Sequence, residues 1–313
     1  MSTAEQVRLL RERITDEVFL ALGMPKNGLL RRNLGWLLRL PTQRFADIFS
    51  SADQAARDKG LQGAGQELLK NLSVQVHAKG LENLPLSGPL IVVSNHPGAY
   101  DSAALAASIP RPDVKIIAYE IPFYHALEYI QQHMIFVSPN PDLRMSALRA
   151  AIEHLRTGGA LIQFGTGRID PDPLVQAGSA ENLQNWSPSL EIMLRKAPET
   201  QLTLAMVSGV LMQRFARHPL TYLRKHPIDR RRIAEFTQVI WQLITGKEPD
   251  VSPRISFAPP IATTQLQSES SGRWMESIIA RARTLLAEHN RTPLPGFFGE
   301  RQGEGEKSLS GST

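Results

Sequence analysis

Hydrophobic and polar positions divide the chain into two unlike parts. Residues 1–72 carry apolar side chains at helical spacing, interrupted at Gly23-Met24-Pro25, Pro41 and Gly60, with no run that reads as a strand. From Val74 the pattern changes. Short apolar runs at 89–94 (PLIVVS), 114–119 (VKIIAY), 134–137 (MIFV), 160–164 (ALIQF) and 202–207 (LTLAMV) alternate with helical stretches. The sharpest helix is 142–157, DLRMSALRAAIEHLRT, where Leu148, Ala151, Ile152 and Leu155 form an i, i+3, i+4, i+7 stripe. Asp142 suits its N-cap and Gly158-Gly159 its stop. Two more helices are predicted near 228–246 and 270–288. Strands alternating with helices predict an α/β fold: a mixed, largely parallel sheet flanked by helices, with a helical N-terminal region. The predicted organisation is a helical region at 1–72, an α/β domain at 73–262, a C-terminal helical segment at 263–300 and a tail at 301–313. That tail, RQGEGEKSLSGST, is too polar to build a core and is expected to be disordered.

Composition narrows the classes. With 42% hydrophobic residues in 313, the chain can bury a sizeable core. It has no cysteine, which excludes disulfides and thiolate chemistry and fits a reducing compartment. The opening MSTAEQVRLLRERITDEVF is charged throughout and lacks the apolar centre of a signal peptide. No stretch approaches the roughly 18 apolar residues that span a bilayer. The expectation is a cytoplasmic protein, peripheral on the membrane. A formal net charge of +5 favours acidic partners. Two stretches concentrate that charge. GLLRRNLGWLLRL (28–40) sets a broad leucine and tryptophan face against Arg31, Arg32 and Arg39, a composition that suits an interfacial helix or one packed on its own domain. RFARHPLTYLRKHPIDRRR (214–232) suits a solvated surface, or contact with anionic lipid or an acyl donor. No nucleic-acid motif accompanies it, so no nucleic-acid partner is expected. His77, His125, His133, His154, His218, His226 and His289 show no metal-ligand spacing, and no metal is expected.

The candidate chemistry lies at IVVSNHPGAYD (91–101), where a buried run leads directly into a histidine and, five residues later, an aspartate. In an open α/β sheet, loops at the carboxyl ends of strands carry the chemistry. Asp101 would cap the helix DSAALAAS, and Pro97-Gly98 allow a turn tight enough to return its carboxylate to the His96 imidazole. A carboxylate on one ring nitrogen fixes the tautomer and frees the other nitrogen as a base. No G-x-S-x-G occurs, so the imidazole would act directly on a substrate hydroxyl. On spacing alone, a loop histidine beside a helix cap fits equally well.

NHPGAYD resembles the first motif, H-x4-D, of the glycerolipid acyltransferases, which acylate glycerol-3-phosphate or lysophosphatidic acid from acyl-CoA or acyl carrier protein. The downstream order is similar too, over roughly 73–262. MIFVSP (134–139) stands for the second motif, GGALIQFGTGR (158–168) for the third, which in the family ends F-P-E-G-T-R, and QLTLAMVS (201–208) for the fourth. The resemblance implies O-acyl transfer from an acyl thioester to a lysophospholipid or glycerol-phosphate-like acceptor at an anionic membrane surface. No cofactor is implied beyond the donor. His96 and Asp101 would be catalytic, with Asn95, Thr166, Gly167, Arg168 and Arg144 binding substrate. The sequence departs from the family at three places. Thr166 stands near the third-motif glutamate, Ser138-Pro139 replaces the second-motif arginine, and the fourth block lacks its proline. These departures leave a non-catalytic, lipid-binding relative as the alternative. Gly165-Thr166-Gly167 would expose backbone N–H groups to an anion, and Arg168 would bind phosphate or pair with Asp170 or Asp172.

Overall fold

The computed structural model describes residues 3–21, 36, 38–98, 100–138, 140–269 and 272–291, with the side chains of 20, 21 and 223 left aside. The tail at 301–313 and most of 28–40 lie outside these residues. Of the latter stretch, Trp36 and Leu40 are exposed.

The strands are β1 (His77–Lys79), β2 (Leu90–Ser94), β3 (Val114–Tyr119), β4 (Met134–Val137), β5 (Ala160–Phe164), β6 (Gln201–Ser208), β7 (Arg254–Phe257) and β8 (Ile261–Ala262). They form one sheet in the order β1-β7-β6-β2-β5-β3-β4, with β8 also on β6. The pairs β1–β7, β2–β5, β2–β6, β3–β4 and β3–β5 are parallel, and β6 pairs antiparallel with β7 and β8. The mixed, largely parallel sheet is therefore as expected. The principal helices are α1 (Thr3–Ala21), α2 (Arg39–Asn71), α3 (Asp101–Ser108), α4 (Pro141–Arg156), α5 (Ser189–Lys196), α6 (Pro227–Thr245), α7 (Thr263–Glu269) and α8 (Trp274–Arg291).

Strand residues alternate between two cores, as a period of two requires. Ile91, Val93, Leu161 and Leu204 face α4, α5 and α8 through Leu155, Met193 and Ile278. Leu90, Val92, Ile162 and Val207 face α2 and α3 through Leu61 and Leu105. Every residue of β2 is buried, so the strand that delivers the histidine has no slack in register. α1 packs on α2 and on the segment 122–133. There the buried Asp53 accepts from Gln6 Nε2 (2.6 Å) and from the N–H groups of Tyr129 (2.9 Å) and Ile130 (2.8 Å).

Some boundaries differ from expectation. α4 starts at Pro141, not Asp142. Asn140 is its N-cap, its Oδ1 accepting from the Asp142 N–H at 3.0 Å, because proline with its fixed φ takes the first helical position. α2 runs through Lys59-Gly60 with a kink, where Gly60 has φ 60° and ψ −154°. The C-terminal helices complete the core of the α/β unit: Trp274, Ile278 and Leu286 bury against the same cluster as β2 and β6.

Candidate active site

The parallel strands β2, β5 and β6 end on one edge, and the loops leaving them meet there. His96 follows β2. Its Nδ1 lies 2.7 Å from Asp101 Oδ2, and the Gly98 N–H donates to the same oxygen at 2.8 Å. The turn is thus held by the carboxylate it serves. Gly98 sits at φ 91°, a conformation that L side chains rarely adopt, and a Cβ there would lie 3.0 Å from the Glu235 carboxylate. Asp101 is not the helix cap that its position suggested. Tyr100 occupies the cap position of α3, and the Asp101 carboxylate turns back into the loop instead. The His96 ring stacks on Phe164, with centroids 4.0 Å apart and an interplanar angle of 18°. With Nδ1 engaged, Nε2 has no partner among the described residues, and the side chain is 26% exposed.

The backbone of His96 is clamped to the loop after β5. Its N–H donates to Asp170 Oδ2 (2.8 Å), and the Asp170 N–H donates to the His96 carbonyl (2.6 Å). Asp170 Oδ1 accepts from Thr166 Oγ1 (2.7 Å) and Asn182 Nδ2 (2.6 Å). Asp172, fully buried, accepts from the N–H groups of Leu174, Gly209, Val210 and Leu211 at 2.9–3.0 Å. It ties the loop after β5 to the loop after β6. Burial pushes both carboxyls up from the usual carboxylate range, against the hydrogen bonds they accept.

Burial also works against charge on His96. Asp101 outweighs it through Coulomb attraction and its hydrogen bond, Glu235 and Asp170 add to it, and the imidazole is pushed up to about 9.

The remaining candidates are placed unequally. Asn95, expected to bind substrate, is buried and ties the end of β2 to β6: its Nδ2 donates to the Val207 carbonyl and its Oδ1 accepts from the Val207 N–H, both at 2.8 Å. In the turn where an anion nest was expected, the Gly165 N–H donates to Ser94 O on β2 (2.8 Å), the Gly167 N–H to Phe164 O (3.0 Å) and the Arg168 N–H to Thr166 Oγ1 (3.1 Å), so these three donors are engaged. The Thr166 hydroxyl likewise serves Asp170, and Gly167 is exposed. Arg168 is exposed, and its guanidinium pairs with neither Asp170 nor Asp172, which removes the alternative that it was a buried ion-pair partner. Arg144 is exposed on α4, beyond β4. That strand lies three strands from β2, about 14 Å at roughly 4.8 Å per strand.

Sequence reasoning missed the part played by α6. Arg231, Glu235, Gln238 and Gln242 repeat at i, i+4, i+7 and i+11, a polar stripe turned inward over the edge that carries His96. Arg231 Nη1 donates to the Ile169 carbonyl (3.1 Å), and Glu235 rests on Gly98. Gln238 binds Val210 O (2.8 Å) and Met212 N–H (2.7 Å). Gln242 accepts from the Tyr100 hydroxyl (2.6 Å) and donates to Leu72 O (2.6 Å). One helix face thereby touches the loops after β2, β5 and β6. Arg231 is half-buried beside Asp170, and burial lowers its pKa from the ordinary guanidinium value. The signal was present as this spacing of polar residues in an otherwise amphipathic helix.

Residues 75–214 match the model of the Acyltransferase family, the class that NHPGAYD resembles. α6 lies beyond the matched segment. Among solved structures, the chain is similar to the 1-acyl-sn-glycerophosphate (LPA) acyltransferase PlsC from Thermotoga maritima. The two share 17% identity over 81% of this chain and 83% of that one, with a TM-score of 0.45. That likeness is remote. No curated protein matches the chain.

Proposed function

We propose that the protein transfers a fatty acyl group from an acyl thioester, carried by CoA or acyl carrier protein, to the hydroxyl of a phosphorylated, glycerolipid-type acceptor. The observation that carries this reading is the 2.7 Å contact of His96 Nδ1 with Asp101, which leaves Nε2 free. Nε2 takes the acceptor's proton as the acceptor oxygen attacks the thioester carbonyl. When the C–S bond breaks, the imidazolium returns that proton to the leaving thiolate. Asp101 orients the ring and stabilises the imidazolium. Neither an acyl-enzyme nor a metal or cofactor is required. Arg168, in the loop after β5, and Arg231, bonded to the Ile169 carbonyl of that loop, would hold the acceptor's phosphate.

Peripheral attachment to an anionic membrane fits the surface. Exposed Leu220 and Tyr222 stand among Arg217, Arg224 and Lys225, and exposed Trp36 precedes Arg39. No helix among the described residues is long and apolar enough to cross a membrane. The competing reading, a non-catalytic lipid-binding relative, draws on the charge of His96, since an imidazole pushed up to about 9 is mostly protonated at neutral pH. The deciding experiment follows thioester consumption by purified protein across lysophospholipids, glycerol-3-phosphate and neutral alcohols. Acceptor-dependent thiol release that rises with pH supports the transferase. Acceptor-independent background at every pH, together with vesicle binding, supports the lipid-binding relative.

A further inference from the structure

Glu235 places a further carboxylate beside the His96–Asp101 turn. It lies on α6, outside the segment that the family model matches, yet its carboxylate meets the turn that carries the base. A Cβ built on Gly98 would stand 3.0 Å from the Glu235 carboxyl carbon and 3.0 and 3.3 Å from its two oxygens. The turn therefore has a carboxylate on each side: Asp101 within it, and Glu235 pressed on it from α6.

The helix fixes that placement. Gln238, one turn on, is fully buried and bonded to the loop after β6, and Gln242 is bonded to the Tyr100 hydroxyl beside the turn. Arg231, one turn before, is bonded to the Ile169 carbonyl. Glu235 thus sits between anchors on both sides along one helix face.

We propose that Glu235 is a positioning residue for His96, a second carboxylate that stabilises the imidazolium formed when the base takes a proton from the acceptor hydroxyl. This rests on the transferase reading for its purpose, but not for its electrostatics. The ionisable groups around the imidazole are Asp101 on α3, Asp170 in the loop after β5, and Glu235. Tyr100 and Tyr124 lie within the field of Glu235: burial pushes both phenols up to about 12, with that charge adding to it and, for Tyr100, a Gln238 hydrogen bond opposing it. Arg231 faces Asp170. Of the three carboxylates, Asp170 is already hydrogen-bonded to the His96 N–H, Thr166 and Asn182. Glu235 comes from α6, outside both the turn and the loop after β5.

The test is a titration of the His96 ring by carbon–proton NMR on histidine-labelled protein without substrate, its signal assigned by its loss in His96→Gln. Glu235→Gln keeps the shape and removes the charge. It should lower the His96 midpoint by about one pH unit, the lower end of what a neighbouring opposite charge supplies. Glu235→Asp, which keeps the charge, should hold the midpoint closer to wild type than Glu235→Gln does. The acid limb of kcat/KM against pH should move with the midpoint. An unchanged midpoint in a folded Glu235→Gln protein overturns the proposal, as does an equal fall in both variants, since packing rather than charge would then be the cause. Because the titration needs no turnover, a shifted midpoint in a protein that releases no thiol refutes the transferase reading and leaves the role of Glu235 standing.

Discussion

Removing the His96 ring should change how stability depends on pH. The imidazole is pushed up to about 9 in the folded protein against an ordinary 6.5. At about 1.4 kcal/mol per pH unit, that difference corresponds to about 3 kcal/mol. The ring is 26% exposed, and solvent screening reduces the figure toward about 2 kcal/mol. The sign follows from which state binds the proton more tightly. The folded protein does, so the contribution is fully present below pH 6.5 and is lost as the pH rises to about 9. His96→Gln has no such proton to lose. Reversible urea unfolding of both proteins between pH 6 and 10 should show the wild type losing about 2–3 kcal/mol more than the variant across this window. Groups other than His96 titrate in both proteins and cancel in the comparison. Parallel stability curves would show that the surrounding carboxylates do not hold the ring charged, and the electrostatic account of the site would fail.

Other consequences concern single residues. Asp101→Asn can still accept the Gly98 N–H, but an amide also permits the wrong ring tautomer, so turnover should fall by roughly 10²–10⁴-fold while the melting curve stays cooperative; unchanged turnover would reduce Asp101 to a turn-former. Arg231→Ala should raise KM for a phosphorylated acceptor by about 10- to 150-fold, the worth of one charge-assisted contact, and leave a neutral acceptor unaffected; equal effects on both acceptors in steady-state kinetics would make Arg231 a loop clamp through Ile169. Gly165→Ala should destabilise by about 1–3 kcal/mol in chemical unfolding, because its Cβ would collide with the Trp186 ring; wild-type stability would mean that the ring moves aside freely.

The strands that stood out most clearly in the pattern include the central β2 and β5, buried on both faces. LIVVS and ALIQF carry enough apolar side chains to stand out against polar surroundings. β1, β7 and β8 were missed because they are short, and β7 opens with Arg254, a charged residue buried in the sheet and hydrogen-bonded to Ser208. His96 and Asp101 were legible because one short turn holds both, at the end of a buried strand. The tie of Asn95 to β6 was missed because a polar residue beside His96 gives no local sign that it bonds the neighbouring strand. Arg231 and Glu235 reach the site through the packing of α6 on three loops, a long-range relation that no local motif encodes. The basic run that contains Arg231 suggested solvated surface, yet Arg214 lies 4.0 Å from the Trp241 ring centroid and Arg231 is half-buried.

The central claim is that His96 is the base of an acyl transfer, and thiol release by His96→Ala tests it most directly. Wild type and variant would be compared at equal concentration with an acyl-CoA donor and a lysophospholipid acceptor, after circular dichroism and melting show that the variant is folded. The account predicts that acceptor-dependent thiol release falls by roughly 10²–10⁴-fold or more. Turnover at the wild-type rate in the folded variant would contradict it.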